Sequence, residues 1–223
     1  MKQYFITGTD TEVGKTYVTR LLLEGATALG KTNVGYKPIA AGCENVNGVW
    51  VNEDASAIQQ ASGIAVPINE INPIRLIPAI APHIAAAEAD IELSGKVITK
   101  GLETLQHYEP ELLLMEGAGG WRLPLGQGVF LPDIISSLNM EVIMVVGMKL
   151  GCLNHAFLTA EAIIRDGLTL KGWVANDISG DMARYNENLA TLKRELPAPL
   201  LLEVPYNRVP HQHLLFTAIE QLS

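Results

Sequence analysis

Only two cysteines stand in 223 residues, and Cys43 and Cys152 are neither paired by short spacing nor grouped with histidines into a metal site. A disulfide framework is thereby excluded, and a reduced, cytoplasmic setting is the expectation. Long apolar runs are missing too: "VIMVVGM" is of strand length, far short of the roughly 20 residues that span a bilayer. The opening "MKQYFITGTD" lacks the apolar stretch of a signal peptide, and no lipidation motif is present. No membrane association is expected. Basic residues are scarce, with 16 Lys and Arg against 24 Asp and Glu and a net charge of −8, which argues against a nucleic-acid partner. Charged residues make up only 18% and hydrophobic ones 48%, so disorder is excluded as well. There is no repeat, low-complexity linker or boundary. One domain over residues 1–223 is expected, with 207–223 carrying the weakest pattern.

What is present is an alternation of apolar runs and amphipathic segments. "QYFITG" reads as a strand and "GKTYVTRLLLEGATALG" as a helix that stops at Gly30. "TNVGYKP" reads as a second strand, closed by Pro38. Residues 38–53 read as a loop, after which Asp54 is placed to cap "DASAIQQASG". "INPIRLIPAIAPHIAAAEAD" is interrupted by three prolines and yields no assignment. A helix follows from about Ser94 to Tyr108. Then "PELLLMEGAGG", "MEVIMVVGM", "LKGWVANDI" and "APLLLEVP" read as strands, separated by the helical "LPDIISSL", "LNHAFLTAEAIIRDG" and "MARYNENLATLKREL". Continuously apolar strands alternating with helices predict a parallel sheet covered on both faces.

The segment "ITGTDTEVGKT" ends in Gly14-Lys15-Thr16 between the first strand and the first helix. A loop in that place aims backbone N–H groups at an anion, and the helix dipole adds to the attraction. Lys15 would reach the β- and γ-phosphates of a nucleotide, and the Thr16 hydroxyl would bind Mg²⁺. The plain alternative, a glycine turn with an incidental Lys-Thr, is disfavoured by the strand–loop–helix setting. Five residues separate Gly8 from Gly14 instead of the usual four, so the loop's entry must take another conformation. Asp10 and Glu12 put negative charge where a polyanion is expected. Two accounts stay open: both side chains face away, toward a metal shell or a cationic substrate, or Asp10 caps or braces the loop. A metal–nucleotide site also needs carboxylates at the carboxyl ends of other strands. Glu116, ending "ELLLMEG" before Gly117-Ala118-Gly119-Gly120, is the first candidate and Asp54 the second, although an Asp at a helix start is ordinarily only a cap.

Together "ITGTDTEVGKT", "GYKPIAAG", "MEGAGGW", "VVGMKLGCLNHAFLTA" and "LKGWVANDI" closely resemble the dethiobiotin synthetase family, in order, from residue 3 to about residue 206. The resemblance implies a single α/β domain with a P-loop NTPase-type parallel sheet. It also implies a ligase that joins 7,8-diaminononanoate, CO₂ and ATP into dethiobiotin, ADP and phosphate. On this resemblance Glu12, Val13, Gly14, Lys15, Thr16 and Tyr17 hold the phosphates, with Gly117, Ala118 and Gly119 close by. Thr16, Asp54 and Glu116 bind Mg²⁺, and Thr11, Lys15 and Lys37 serve catalysis. Lys37 and Ala41 meet the substrate, while Gly151, Cys152, Leu153 and Asn154 take its carboxyl tail across a subunit interface, which implies a homodimer. Asn176, Asp177, Pro205, Tyr206, Asn207 and Gln212 fall to the nucleoside, with Asn176 pairing the adenine edge. The residues themselves say less: a Lys at a strand end is usually just solvated, and a helix start such as Gly151–Asn154 is usually just capped.

Two positions and the C-terminal "NRVPHQHLLF", which is shorter and less similar, depart from the family. Ala41 stands where a Ser or Thr is usual, a lost hydroxyl contact of about 1 kcal/mol. Asn188 stands where a Tyr often is, with Tyr185 three residues earlier on the same helical face as a substitute. His211 and His213 flank Gln212 and read as surface residues, or as a stray metal pair. A rival class, the nucleotide-switch ATPases of similar fold, carries an extra Lys six residues before the final Ser/Thr. Asp10 occupies that slot here. Amide-forming ligases of the same fold would normally add a glutaminase domain, for which 223 residues leave no room.

Overall fold

The computed structural model describes residues 1–222. The first apolar run forms β1 (Lys2–Gly8), followed by α1 (Lys15–Ala28) and β2 (Asn33–Tyr36). Next come β3 (Ile39–Ala41), β4 (Glu44–Val46), β5 (Val49–Val51), α2 (Glu53–Ala61), α3 (Ile68–Ile71), β6 (Ile74–Leu76), α4 (Pro82–Glu88) and α5 (Gly95–Gln106). The middle of the chain supplies β7 (Leu112–Gly120), β8 (Pro124–Gly126), β9 (Val129–Phe130) and α6 (Leu131–Ser137). The remainder makes β10 (Glu141–Met148), α7 (Cys152–Arg165), β11 (Leu170–Asp177), α8 (Tyr185–Glu195), β12 (Leu200–Val204) and α9 (Gln212–Gln221).

Six strands make one sheet in the order β12-β11-β10-β1-β7-β2, and every neighbouring pair is parallel. The expected architecture therefore forms. Leu112–Leu114, Met115 and Val142–Val146 are buried because α1, α2 and α9 cover one face and α5, α6, α7 and α8 the other. Where the order turns back between β1 and β10, the loops after the strands open a crevice at their carboxyl ends, the usual ligand position in such sheets. Among the described residues, no helix is long and apolar enough to cross a membrane.

Two local expectations are corrected, and two stretches without an assignment gain one. Residues 38–53 are not a plain loop: β3 pairs with β6, and β4 and β5 form a hairpin turning at Asn47-Gly48, both at positive φ. That Asn-Gly pair is itself a hairpin signal. The proline-interrupted stretch carries α3, β6 and α4, and β6 exists because β3 pairs with it from 35 residues away in sequence. The cap of α2 is Asn52, whose side chain accepts from Ala55 N–H at 3.2 Å; Asp54 sits in the first turn with its carboxylate turned elsewhere. Finally, the weakly patterned C-terminus forms α9, which rests Leu215 on Gly25 of α1, while the Tyr4 hydroxyl donates to Leu222 O at 3.0 Å.

Candidate active site

β1 stays paired to β10 one residue past its end, Thr9 N–H donating to Val145 O at 3.0 Å, and this is how the loop enters without its usual first glycine. Asp10 then accepts from Thr11 N–H at 2.8 Å and from the Lys149 ammonium at 3.2 Å. The Thr11 N–H first, and Lys149 second, hold its carboxyl below the usual carboxylate range. Of the two accounts of Asp10, bracing is the one this geometry fits. Glu12 is exposed, at φ 58°, and lines the cleft described below. Gly14 has φ 84°, and a Cβ there would lie 2.1 Å from Asn176 Nδ2, so the position admits only glycine. Asn176 donates through that nitrogen to Val13 O at 2.8 Å. Lys15 is nearly buried and folds back to donate to Asp10 O at 3.2 Å. Burial, and then the charge of Lys37, bring its pKa down to about 8.

The second group is built from three elements. Glu116 is fully buried, paired opposite Ile6 just before β7 slips its register, so that Gly8 lies opposite Gly120. The slip pushes Gly117–Gly119 out toward the loop, and Gly117 leaves room for the Phe5 ring, which a Cβ would meet at 2.7 Å. From the end of β2, Lys37 donates to Glu116 Oε1 at 2.6 Å and Gly117 O at 3.1 Å, with Asp54 Oδ2 at 3.5 Å. Thr16 donates to the same Oε1 at 2.8 Å, and Thr19 reaches Oε2 at 2.7 Å. Burial works against the Lys37 charge, but Glu116 and Asp54 outweigh it and hold the ammonium above the usual lysine value. Lys37 is anchored from behind: its N–H donates to Ile71 O at 2.8 Å, and its carbonyl accepts from the buried Asn72 amide at 2.7 Å.

A cleft of about 740 Å³ joins the two groups, with Thr11, Lys15, Thr16, Lys37 and Asp54 on its polar side and Ala41, Ile80 and other apolar residues opposite. A larger hollow of about 1150 Å³ between α4, α5 and the β8–β9 hairpin shares none of these residues. The smaller one holds the converging charges, which makes it the candidate site. Its oxygen groups, two carboxylates and a hydroxyl, suit a hard divalent cation such as Mg²⁺, and the two carboxylates already hold one positive group, the Lys37 ammonium.

The structure thus brings Thr11, Glu12, Gly14, Lys15, Thr16, Lys37, Ala41, Asp54, Ala118 and Gly119 to one cleft, with Glu116 and Gly117 forming its floor. Val13 is buried beneath the loop, and Tyr17 lies under the Arg20 guanidinium at 5.4 Å. Asn176 and Asp177 end β11 on the loop's other flank, where Asp177 accepts from Gly180 N–H at 2.8 Å and Gly180 lies against the Tyr206 ring. Pro205, Tyr206 and Asn207 follow β12 and Gln212 opens α9; none of the four lines the cleft. Nor do Gly151, Cys152, Leu153 and Asn154, which open α7; the Cys152 N–H is taken by Lys149 O at 3.0 Å. Tyr185 and Asn188 share a half-buried face of α8, and the Tyr185 hydroxyl is enclosed beside Glu203. The His211 and His213 rings stack at 5.9 Å, and among the described residues no cluster of three or more His, Cys, Asp or Glu could turn them into a metal site. Sequence reasoning missed Thr19, Asn52, Asn72 and Lys149. Thr19 was findable, three residues after Thr16 on one helical face; nothing local marks the others.

The AAA domain family model matches residues 2–212. The ATP-dependent dethiobiotin synthetase BioD of Alteromonas mediterranea is 62% identical over all of both chains. That of Aeromonas salmonicida is 48% identical over 94% of this chain and 93% of its own. Among solved structures, the septum site-determining protein MinD of Pyrococcus horikoshii, complexed with Mg-ADP, superposes with a TM-score of 0.61 at 12% identity over 99% of this chain and 96% of its own. The MinC:MinD cell division complex of Aquifex aeolicus gives 0.57 at 15% identity over 99% of this chain and 86% of the other. At such identities these two bear on the fold alone.

Proposed function

The chain belongs to the ATP-dependent dethiobiotin synthetase family, and from that premise we propose how its own residues perform the family's ATP-dependent ring closure. One amine of 7,8-diaminononanoate adds to CO₂ as a carbamate, and a carbamate oxygen attacks the γ-phosphorus of ATP, releasing ADP. The second amine then attacks the carbon of the carbamic-phosphoric anhydride and expels phosphate, closing the ring. Such transfers are governed by positioning and charge stabilisation more than by a strong base.

The N–H groups from Val13 to Thr16 cradle the β- and γ-phosphates, and Lys15 leaves the Asp10 carbonyl to join them. Thr16, Asp54 and Glu116 would hold Mg²⁺, which when bound neutralises phosphate charge. Lys37 then directs its ammonium to the oxygens exchanged between phosphorus and carbamate, and Thr11 borders the same space. Asn176 keeps its Oδ1 and second N–H for the adenine edge, with Asp177, Pro205, Tyr206, Asn207 and Gln212 beside the ribose and base. Gly151–Asn154 receive the substrate's carboxylate from the neighbouring subunit of a homodimer, in the cytoplasm. The observation that carries this reading is the convergence of Lys37 and Thr16 on the buried Glu116 carboxylate, with Asp54 against the same Lys37 ammonium and Thr16 next in sequence to the phosphate-loop lysine.

Purified protein with diaminononanoate, bicarbonate, Mg²⁺ and ATP is expected to release dethiobiotin and phosphate in equal amounts. ATP turnover that ignores the diamine would overturn the reading in favour of a nucleotide switch.

A further inference from the structure

Thr19 lies one turn beyond Thr16 on α1 and is fully buried. Its hydroxyl stands 2.7 Å from Glu116 Oε2 and 2.9 Å from the Lys15 carbonyl oxygen. A hydroxyl has one proton to give. The carboxylate is the nearer acceptor and the charged one, so it takes the proton. The two oxygens of Glu116 are therefore treated differently. Oε1 is shared by Thr16 at 2.8 Å and Lys37 at 2.6 Å on the cleft side, while Oε2 is turned back into the core toward Thr19.

We propose that Thr19 is the positioning residue of the metal carboxylate: it holds Oε2 so that Oε1 is the oxygen presented to the divalent cation. This rests on the reading of Glu116 as a metal ligand given above. Thr19 acts through Glu116 and meets neither nucleotide nor diamine. Because Thr19 sits on α1 one turn beyond Thr16, the carboxylate is referenced to the same helix that carries Lys15 and Thr16. Phosphate donors and metal oxygens are thus set by one rigid piece, and a hydrogen bond behind a metal ligand tunes the ligand in front of it.

Thr19→Val removes the hydroxyl at nearly constant shape, and Thr19→Ser keeps it. Mn²⁺ binding to the ADP complex, read by electron paramagnetic resonance, is expected to weaken ~10-fold or more in Thr19→Val and to recover to within about threefold in Thr19→Ser. ADP affinity in EDTA is expected to stay within about twofold of the parent in both. Parent-like Mn²⁺ binding by Thr19→Val would overturn the proposal. So would equal losses of Mn²⁺ and metal-free ADP binding, which would mark a merely structural role. Should Thr19→Val fail to fold, Thr19→Ala is read in the same way. Glu116→Gln separates the two layers. If it keeps Mn²⁺ binding, the ligand reading itself falls; if it loses binding while Thr19→Val does not, only the role of Thr19 falls.

Discussion

Lys37 carries a charge into a place that burial would otherwise forbid, and Glu116 is the reason it can. Removing Lys37 leaves the fully buried Glu116 carboxylate without its hydrogen-bonded counter-charge. Lys37→Met is expected to destabilise the metal-free protein by about 3–5 kcal/mol in urea unfolding. It should also lower single-turnover ring closure by about 10²–10³-fold. Turnover within tenfold of the parent would mean that phosphoryl charge is stabilised elsewhere. Lys15 poses the complementary case, since its ammonium is buried beside another cation with its pKa at about 8. The ordinary lysine value of 10.5 applies to the unfolded chain. Between about 8 and 10.5 the unfolded chain holds this proton and the folded one does not, so this group makes ligand-free stability rise with pH across that window. Bound phosphates favour the ammonium. Metal-free ADP binding at pH 8 should therefore take up about half a proton, and affinity should fall as pH rises further. Calorimetry in buffers of different ionisation enthalpy measures that uptake, and zero uptake would place Lys15 outside the phosphate site.

Elements matter here through their ends. The turn from α3 into β6 clamps both backbone groups of Lys37, and the bulge in β7 brings Gly117 O to its ammonium. Asn52 caps α2 and also donates to Ala41 O at 2.9 Å, tying the helix that presents Asp54 to the strand that lines the cleft. Asn52→Ala should cost about 1 kcal/mol of stability and raise the Mg²⁺ requirement of turnover, both measurable against the parent. An unchanged Mg²⁺ dependence would separate Asp54 from the metal. Between β1 and α1, the loop closes only because Gly14 has no Cβ against Asn176. Gly14→Ala should weaken nucleotide binding by ~10-fold or more through a displaced loop, with thermal unfolding showing whether the rest of the fold is retained.

At the scale of the whole molecule, the start of α7 is the feature a single chain leaves unexplained. Leu150 is 97% exposed immediately before Gly151, and Leu158 and Ile164 are exposed further along the helix. Exposed apolar side chains of this kind are what a second copy would cover. Leu150→Asp is expected to shift a dimer toward monomer in sedimentation. It should raise the KM for the diamine while metal-free ADP affinity stays the same. A monomeric parent with normal turnover would remove the shared substrate site.

The six strands of the main sheet, and α1, α2 and α5 to α8, were legible, because each is announced by its own run of neighbours: alternation, periodicity, a terminal Gly or Pro; the short strands β3 to β6, β8 and β9, and the helices α3 and α4, were not. Legible too was the phosphate loop, whose chemistry is contiguous from Gly8 to Thr16. The site's second half was legible only as separate residues. That Lys37 and Thr16 share the Glu116 carboxylate, with Asp54 against the same ammonium, depends on β2 and β7 lying side by side, a pairing no local pattern encodes. β6 and α9 escaped notice for the same reason, since each is stabilised by a partner distant in the chain. Asp10 likewise found its partner, Lys149, 139 residues away. The sequence by itself determined which groups could do chemistry and the alternation that lays down the sheet. Which groups meet, and which only brace their neighbours, was decided by tertiary packing, because hydrogen bonds and ion pairs depend on distance in space, and that exists only once the strands have paired.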